Sequence, residues 1–351
     1  MINFAAGKVI AVMNIRNFGL AVMIAAVAMP LTAEADNGSK SPYIPQIHGT
    51  VRARYELETD DWSSRFQVRN ARLSVSGNVC PIVDYYVQAD FCDCGSFKML
   101  DAWAGVKATK WLKFQAGQQR MPFSVDASRA PHNLYFANRS FIGKQVGNVR
   151  AVGVKGSVLI PGTMAYIEAG IFNTHGLSNH KAWERTFNYS AKAGYVFRNV
   201  KAEVGMESVR PDSVRANLWD VSLSWNCGRW MVEGEYTSKH FVNDRFRTCH
   251  AYNVMADYHM PLEKGVFNRL SFQGRFDGMT DHSSGVRNAA GELYCTDHGR
   301  NRITVGSTIS YIKSAVRADI RLNYEKYLYY HGYKATPGEG DKITVELVVR
   351  F

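Results

Sequence analysis

The last nine residues of the chain, 343–351, read ITVELVVRF and decide the fold class. Every odd-numbered position of this stretch is apolar, while Thr344, Glu346 and Arg350 occupy three of its four even-numbered positions. Because successive side chains of a β-strand point to opposite faces, this period of two predicts a strand with one apolar and one charged face. Alternation alone does not say which face meets water.

The same alternation recurs in sixteen segments, the first at 46–58 and the last at 342–351. Most of these segments are about 10 to 13 residues long. Soluble strands usually have about 5–6 residues, whereas a tilted membrane strand needs about 9–11. Aromatic side chains such as Trp111, Trp225 and Tyr324 lie near segment ends on the apolar face, as expected for girdles at two membrane interfaces.

The connections between the segments alternate in length. Those after even-numbered segments are mostly tight, and all the long ones, 121–148, 174–185, 279–300 and 327–341, follow odd-numbered segments. Short turns at one end, long loops at the other and an even strand count are typical of a bacterial outer-membrane barrel. We therefore predict an all-β, transmembrane antiparallel β-barrel of 16 strands, with short periplasmic turns and long extracellular loops.

The second segment contains one break in phase. Phe66 and Val68 are out of phase with Leu73 and Val75. A β-bulge near Asn70 would explain the break, and so would a segment end that projects beyond the membrane.

The N-terminus has the three zones of a secretory signal. Lys8 and Arg16 make a basic start, 18–31 is apolar, and small residues follow. The apolar stretch of about 14 residues is shorter than the roughly 20 that a transmembrane helix needs. We predict a signal peptide at 1–35, cleaved after Ala35.

Cleavage would leave a short periplasmic segment, 36–45, before the transmembrane barrel at 46–351. We therefore expect the protein to be exported to the outer membrane of a Gram-negative bacterium. Closing the sheet is compulsory in lipid, because an open edge would leave unpaired backbone groups in hydrocarbon. At sixteen strands the interior is too wide for facing side chains to fill, so an aqueous channel results.

The chain is basic, with 42 Lys and Arg residues against 31 Asp and Glu residues. Such a chain could bind nucleic acid, anionic lipid or small anions, and net charge does not choose among them. A nucleic-acid binder would not need an exported barrel with aromatic girdles, so we expect no nucleic acid as partner. Basic residues on the charged face of the strands instead predict a basic lumen.

The connection 121–148 is long enough to suggest a function. It carries Arg129, Arg139 and Lys144, and its only carboxylate is Asp126. Folded into the lumen, it would constrict the pore and present cations at the narrowest point, which favours anions. In the alternative interpretation, these loop residues form a solvated outer face that contacts lipopolysaccharide phosphates. Many basic residues on the strands would then be paired with carboxylates across neighbouring strands.

The candidate pore-lining and anion-lining residues combine this connection with the charged faces of the strands. They are Arg52, Arg54, Arg72, Lys107, Lys113, Arg120, Arg129, Arg139, Lys144, Arg150, Arg317 and Arg321.

Several stretches carry a family resemblance: GTVRARY (49–55), RNARLSVSG (69–77), LKFQAGQQRMPFS (112–124) and NRSFIGKQVGNVRAVG (138–153). They resemble the phosphate-selective porin O and P family, most strongly over about 45–160. The resemblance implies an anion-preferring, homotrimeric, sixteen-stranded porin whose third extracellular loop folds inward. It implies passive diffusion of small hydrophilic solutes, phosphate or similar anions among them.

The terminal Phe351 resembles the C-terminal signal read by the outer-membrane barrel assembly machinery. The expected partners are therefore this machinery, small anionic solutes, and outer-membrane lipid with lipopolysaccharide.

The sequence gives little support for a catalytic site or a metal site. The chain has neither a G-x-S-x-G nor an H-E-x-x-H motif, and Cys92 and Cys94 lack a second pair at zinc-finger spacing. We expect no catalytic residue, no cofactor and no metal. Six cysteines are too few for a disulfide scaffold, and their pairing, including that of Cys249 with Cys295, stays open. Two alternatives share the architecture: a structural, adhesive or receptor barrel, and an outer-membrane hydrolase.

Overall fold

A computed structural model describes residues 43–351 except 94, 148, 180 and 334–337. Sixteen β-strands form one closed barrel. The strands are β1 (Gln46–Glu58), β2 (Ser64–Cys80), β3 (Val83–Asp93), β4 (Ser96–Lys107), β5 (Leu112–Arg120), β6 (Arg150–Leu159), β7 (Ala165–Phe172), β8 (Asn188–Phe197), β9 (Val200–Val209), β10 (Ala216–Cys227), β11 (Trp230–Phe241), β12 (Cys249–Pro261), β13 (Arg269–Met279), β14 (Arg300–Lys313), β15 (Val316–Tyr329) and β16 (Lys342–Arg350).

Each strand pairs antiparallel with its neighbours in sequence, and β16 pairs with β1 to close the barrel. At this seam Gly49 and Phe351 exchange both backbone hydrogen bonds, with N to O distances of 2.8 and 3.1 Å. Closure leaves no strand edge unpaired, as hydrocarbon requires. The predicted antiparallel sixteen-stranded barrel is confirmed.

The predicted bulge is also confirmed. Arg52 of β1 pairs with Asn70 of β2, and the next residue, Ala53, pairs with Val68, so Arg69 is the extra residue. Because one extra residue reverses the phase of a strand, the bulge explains why the alternation of β2 changes at this position.

The apolar face of the strands lies outside. In β16, Val345 and Leu347 are 41% and 47% exposed, whereas Thr344 and Glu346 are fully buried. The charged face therefore points into the barrel, the inverse of a water-soluble protein, and the outer surface is apolar as lipid requires.

Helical segments are short and lie in the connections. Among the described residues they are one α-helix, α1 (Val125–Ser128), a π-helical turn (Ile142–Val146) and 3₁₀ turns at Pro131–Asn133, Leu177–Asn179, Val242–Asp244 and Tyr330–Gly332. Within the described part of the chain, none of the helices has the length and apolar character to cross a membrane.

The connection between β5 and β6, which we call the inner loop (residues 121–149), folds into the barrel. Its apolar side chains pack against side chains near the long-loop ends of β6, β7, β9 to β13 and β15. We call this group the inner apolar cluster. Its buried members are Met121, Phe123, Phe141, Ile142, Val146, Ala151, Phe172, Val209, Val214, Ala216, Leu218, Phe241, Cys249, Ala251, Met279 and Tyr327.

Candidate functional site

The inner loop is held to the barrel wall at helix α1. Ser124 is the N-cap, and its Oγ accepts a hydrogen bond from the Ala127 amide at 3.0 Å. The same Oγ donates to a Glu235 carboxylate oxygen of β11 at 2.6 Å. The amides of Val125 and Asp126 also donate to Glu235, at 2.7 and 3.1 Å. One wall carboxylate therefore satisfies the free amides at the start of the helix.

A second carboxylate, Asp126, holds the inner loop together. It accepts hydrogen bonds from the Ser140 amide at 3.1 Å and the Ser140 hydroxyl at 2.8 Å. The Arg139 guanidinium donates to the carbonyl oxygens of Asp126 and Arg129. Burial raises the pKa of Asp126, but Arg139 and Arg129 outweigh it, and the net pKa lies below the usual value. Asp126 is therefore charged and joins the two halves of the loop.

The tip of the inner loop reaches the opposite wall. The Asn138 amide oxygen accepts from Arg54 of β1 at 2.9 Å, and its amide nitrogen donates to Glu325 of β15 at 3.1 Å. Its backbone carbonyl accepts from Arg275 of β13 at 2.8 Å. The loop begins at β5 and ends at β6, so contacts with β13, β15 and β1 mean that it crosses the lumen.

One cavity, of about 160 Å³, lies between the inner loop and the wall formed by β1 to β6, and we call it the basic cavity. Eight basic side chains and a single carboxylate, Asp93, line it. The basic residues are Arg52, Arg69, Arg72, Lys98, Arg120, Arg139, Lys144 and Arg150.

Two further cavities adjoin the inner loop. The lower cavity, of about 490 Å³, shares Arg72, Arg120 and Arg150 with the basic cavity and adds Lys155 and Arg350. The far cavity, of about 410 Å³, lies between helix α1 and the walls of β8, β9 and β12 to β15. Its basic lining residues are Arg129, Lys192, Lys201, Arg269, Arg317 and Arg321.

Most cations of the basic cavity have a carboxylate partner in the wall. Arg52 lies 2.7 Å from Glu346, and Arg72 lies 2.8 Å from Asp90. Both of these carboxylates are fully buried. Such pairs fix the guanidinium groups and reduce the net charge that a solute meets.

Arg120 differs from the other basic residues that line this cavity because one of its guanidinium nitrogens is buried without a partner among the described residues. In the part of the chain that the structure describes, it forms no ion pair, and its buried Nη1 atom has no hydrogen-bond partner. Across the β5–β6 ladder it faces another arginine, Arg150, which is itself paired with Asp101 at 3.1 Å. Arg120 is therefore an uncompensated cation in the zone that joins the basic and lower cavities.

Two predicted cations of the inner loop also line the basic cavity. Lys144 lies 2.8 Å from Glu339 of the connection after β15. Burial, followed by the nearby arginines, lowers the pKa of Arg139 to about 10, although Asp126 opposes the shift. Arg139 consequently keeps its charge at neutral pH.

Three further residues predicted from the sequence, Arg129, Arg317 and Arg321, line the far cavity, and all three are paired. Arg129 lies 2.6 Å from Glu233, and although burial lowers its pKa, Glu233 and Asp126 raise it more, so the net pKa is raised. Arg317 and Arg321 share Asp319, at 2.8 and 3.2 Å.

Three predicted lining residues do not line these cavities. Arg54 lies in the wall, 3.1 Å from Glu56. Lys107 and Lys113 face each other near the short-turn ends of β4 and β5, and Lys113 lies 2.6 Å from Asp84. The alternation assigns these residues to the charged face of the strands, but it does not give their position along the barrel axis.

One histidine of the inner loop lies among the cations of the lower cavity. Nδ1 of His132 is 3.1 Å from the Thr50 hydroxyl. Burial, together with Arg350, Arg317 and Arg321, lowers the pKa of His132 to about 4. The imidazole is therefore neutral at pH 7 and adds no charge to the passage.

The fold and the cavities define a class: a closed barrel with an apolar outside, a charged lumen and a loop that crosses it is a porin of the outer membrane. The chain belongs to the phosphate-selective porin O and P family, whose family model matches residues 46–237. Family and fold point to a channel rather than an enzyme. A comparison with curated proteins gives no match.

Solved structures share the barrel at low sequence identity. The anion-selective porin of Comamonas acidovorans is 13% identical with a TM-score of 0.61, over 88% of this chain and 98% of that one. The outer membrane channel DcaP of Acinetobacter baumannii is 11% identical with a TM-score of 0.62, over 89% and 99%. The in-vitro folded trimer form of OmpT from Vibrio cholerae is 12% identical with a TM-score of 0.57, over 88% and 98%. At these identities the likeness shows the fold alone.

Proposed function

We propose that this porin prefers small hydrophilic anions, phosphate or similar ions, which pass between the inner loop and the wall of β1 to β6. The observation that carries the proposal is Arg120. The buried Nη1 atom of its guanidinium has no hydrogen-bond partner in the described part of the chain, which costs free energy, and a passing anion can accept that hydrogen bond. In this interpretation the inner loop, residues 121–148 of our sequence prediction, is the constriction.

The surroundings of Arg120 support the same proposal. Eight basic side chains face one carboxylate in the basic cavity, and Arg72 and Arg150 continue into the lower cavity. Guanidinium groups bind phosphate oxygens through paired N–H donors. In a narrow, partly desolvated passage each charge acts more strongly than in bulk water.

The proposal is tested by single-channel recording in planar bilayers under a salt gradient, with phosphate added against the chloride current. The variant is Arg120→Gln, and the matched control is Arg317→Gln, which removes the same charge from the far cavity. One charge at about 4 Å contributes about 1 kcal/mol even at the dielectric constant of water, which is about a fivefold change in binding. We expect the phosphate concentration for half-block to rise at least about fivefold in Arg120→Gln and to change less in the control.

Two results would refute the proposal. One is a cation-sided reversal potential in the unaltered protein. The other is an equal response of the two variants, which would mean that anions do not use the Arg120 side.

The porin is proposed to act as a homotrimer, as the solved trimer form of OmpT does. Chemical cross-linking of the folded protein in detergent tests this proposal, because a trimer gives three-chain bands that disappear on boiling. Cross-linked monomers alone would contradict it.

Export through a signal peptide at 1–35 is part of the same proposal, with 36–45 as a short periplasmic segment before the barrel. Mass spectrometry of the protein purified from membranes should give an N-terminus at Asp36. A chain that begins before Asp36 would contradict cleavage at this site.

A further inference from the structure

The connection between β13 and β14 folds into a small hairpin at the extracellular end of the barrel. His282 and Asp297 form an antiparallel bridge, with backbone N to O distances of 2.9 and 3.0 Å. A second bridge joins Arg287 to Leu293 farther out. These contacts fix the two arms of the hairpin against each other.

Three different metal-binding side chains meet at the base of this hairpin. A carboxylate oxygen of Asp281, the sulfur of Cys295 and a ring nitrogen of His298 all lie within 4.8 Å of one another. Ligand atoms at about 2.0–2.3 Å from one tetrahedral ion lie roughly 3–4 Å apart. The observed spacing therefore needs only small side-chain rotations to hold one ion.

Each of the three groups is available for a ligand. In the described part of the chain, Asp281 forms no ion pair, and a hydrogen bond from the Gly299 amide at 2.8 Å orients its carboxylate. Cys295 is a free, exposed thiol that donates to the backbone carbonyls of His282 and Asp297. The His298 ring packs against the Tyr333 ring, with centroids 3.7 Å apart and the planes tilted by 31°.

The neighbouring carboxylate is already engaged elsewhere. Asp297 accepts hydrogen bonds from Arg300 and from Gln145 of the inner loop. Asp281 is consequently the carboxylate that remains free to bind, and the ligand set contains one carboxylate, one thiolate and one imidazole.

We propose that Asp281, Cys295 and His298 bind a divalent transition-metal ion of the Zn²⁺ class, with a fourth position open to water. Thiolate and imidazole favour such ions over Mg²⁺ and Ca²⁺, which prefer oxygen ligands. Binding converts the Cys295 thiol to the thiolate, and the proton passes to solvent. The ion would tie together the two arms of the hairpin at the pore mouth, independently of anion passage.

The test uses the full folded chain in detergent, kept reduced by a phosphine that does not bind metals. Co²⁺ is the probe, because a thiolate ligand gives a charge-transfer absorption band and tetrahedral sites give intense visible bands. We expect one Co²⁺ per chain, displaced by Zn²⁺, and no charge-transfer band in Cys295→Ser. Loss of even an outer-shell partner costs about 10–100-fold in metal affinity, so Asp281→Asn and His298→Gln should each lose at least about tenfold.

Matched controls separate this site from adventitious binding. Cys227→Ser removes another exposed thiol at the opposite end of the barrel, and His240→Gln removes another exposed extracellular imidazole. Both should bind Co²⁺ as the unaltered protein does, and heat-dependent gel mobility verifies that every variant is folded. The proposal is overturned if the reduced protein gives no charge-transfer band, if Cys295→Ser keeps it, or if the controls weaken binding equally.

Discussion

The attachment of the inner loop to β11 leads to a quantitative prediction for Ser124→Ala. The Ser124 hydroxyl is fully buried, donates to Glu235 at 2.6 Å and caps helix α1 through the Ala127 amide at 3.0 Å. Alanine removes both hydrogen bonds. The substitution therefore weakens the attached state of the loop without changing its charge.

The size of the effect follows from these two bonds. A hydrogen bond between neutral groups contributes about 0.5–1.5 kcal/mol, and an N-cap contributes about 1 kcal/mol. Ser124→Ala should therefore reduce the free energy of attachment by about 1.5–2.5 kcal/mol, which raises the released fraction by about 10- to 60-fold.

Amide hydrogen exchange measured by mass spectrometry reports this change directly. When opening is fast and reversible, the exchange rate is proportional to the released fraction, so peptides over 121–130 should exchange about 10- to 60-fold faster. The matched control is Ser128→Ala, which loses only the bond from its hydroxyl to the Ser124 carbonyl at 2.6 Å. It should accelerate exchange by no more than about tenfold. Unchanged exchange over 121–130 in Ser124→Ala would refute the role of Glu235 as the attachment point.

Two further predictions concern pH and backbone conformation. Because the pKa of His132 is lowered to about 4, from about 6.5 in an unfolded chain, the neutral form favours the folded state. This contribution to the free energy of unfolding is complete above about pH 6.5 and is lost as pH falls toward 4. The difference in unfolding midpoint between the unaltered protein and His132→Asn should therefore change only between these two pH values. A difference that stays constant over this range would contradict the lowered pKa of His132. Gly117 has a φ of +134°, and an added Cβ would lie 2.2 Å from the Ala102 carbonyl oxygen, so Gly117→Ala should lower the yield of folded barrel. The control is Gly234→Ala, where nothing lies within 4 Å, and equal yields would show that β4 and β5 adapt.

The strands were predictable because apolar and polar residues alternate along each strand of a membrane barrel. The predicted range of β1, 46–58, matches the structure at both ends, and the reversed phase of β2 indicated the bulge at Arg69. The alternation depends on the contrast between lipid and water, which acts at every position of a membrane strand. The alternation of short and long connections predicted which end of the barrel carries the long loops.

The inner apolar cluster was not predicted, although a signal for it exists. The inward phase of several strands changes from charged to apolar near the long-loop end. Lys239 is followed two residues later by Phe241, and Asp220 is preceded two residues earlier by Leu218, all of them on the inward face. The matching apolar residues of the inner loop have no period, because that loop is irregular, so their partners could not be read from the sequence.

The pairing of the lumen cations was also beyond prediction. Arg52 meets Glu346 because the seam joins residues almost 300 positions apart, with a register that closure of the barrel sets. Arg120 could be named as a candidate from the sequence, but its lack of a partner is a property of the three-dimensional arrangement. Alternation gives the face of a residue, whereas charge balance requires its neighbours on adjacent strands and on the loop.

The inner apolar cluster gives this membrane protein a dry core inside a barrel whose lumen is otherwise aqueous. The inner loop is therefore held partly by the same force that folds water-soluble proteins, and that force weakens on cooling. Lipid on the outside plays no part in it. We expect the loop to loosen in the cold while the hydrogen-bonded barrel around it stays intact, so that the width of the passage depends on temperature when the strands do not.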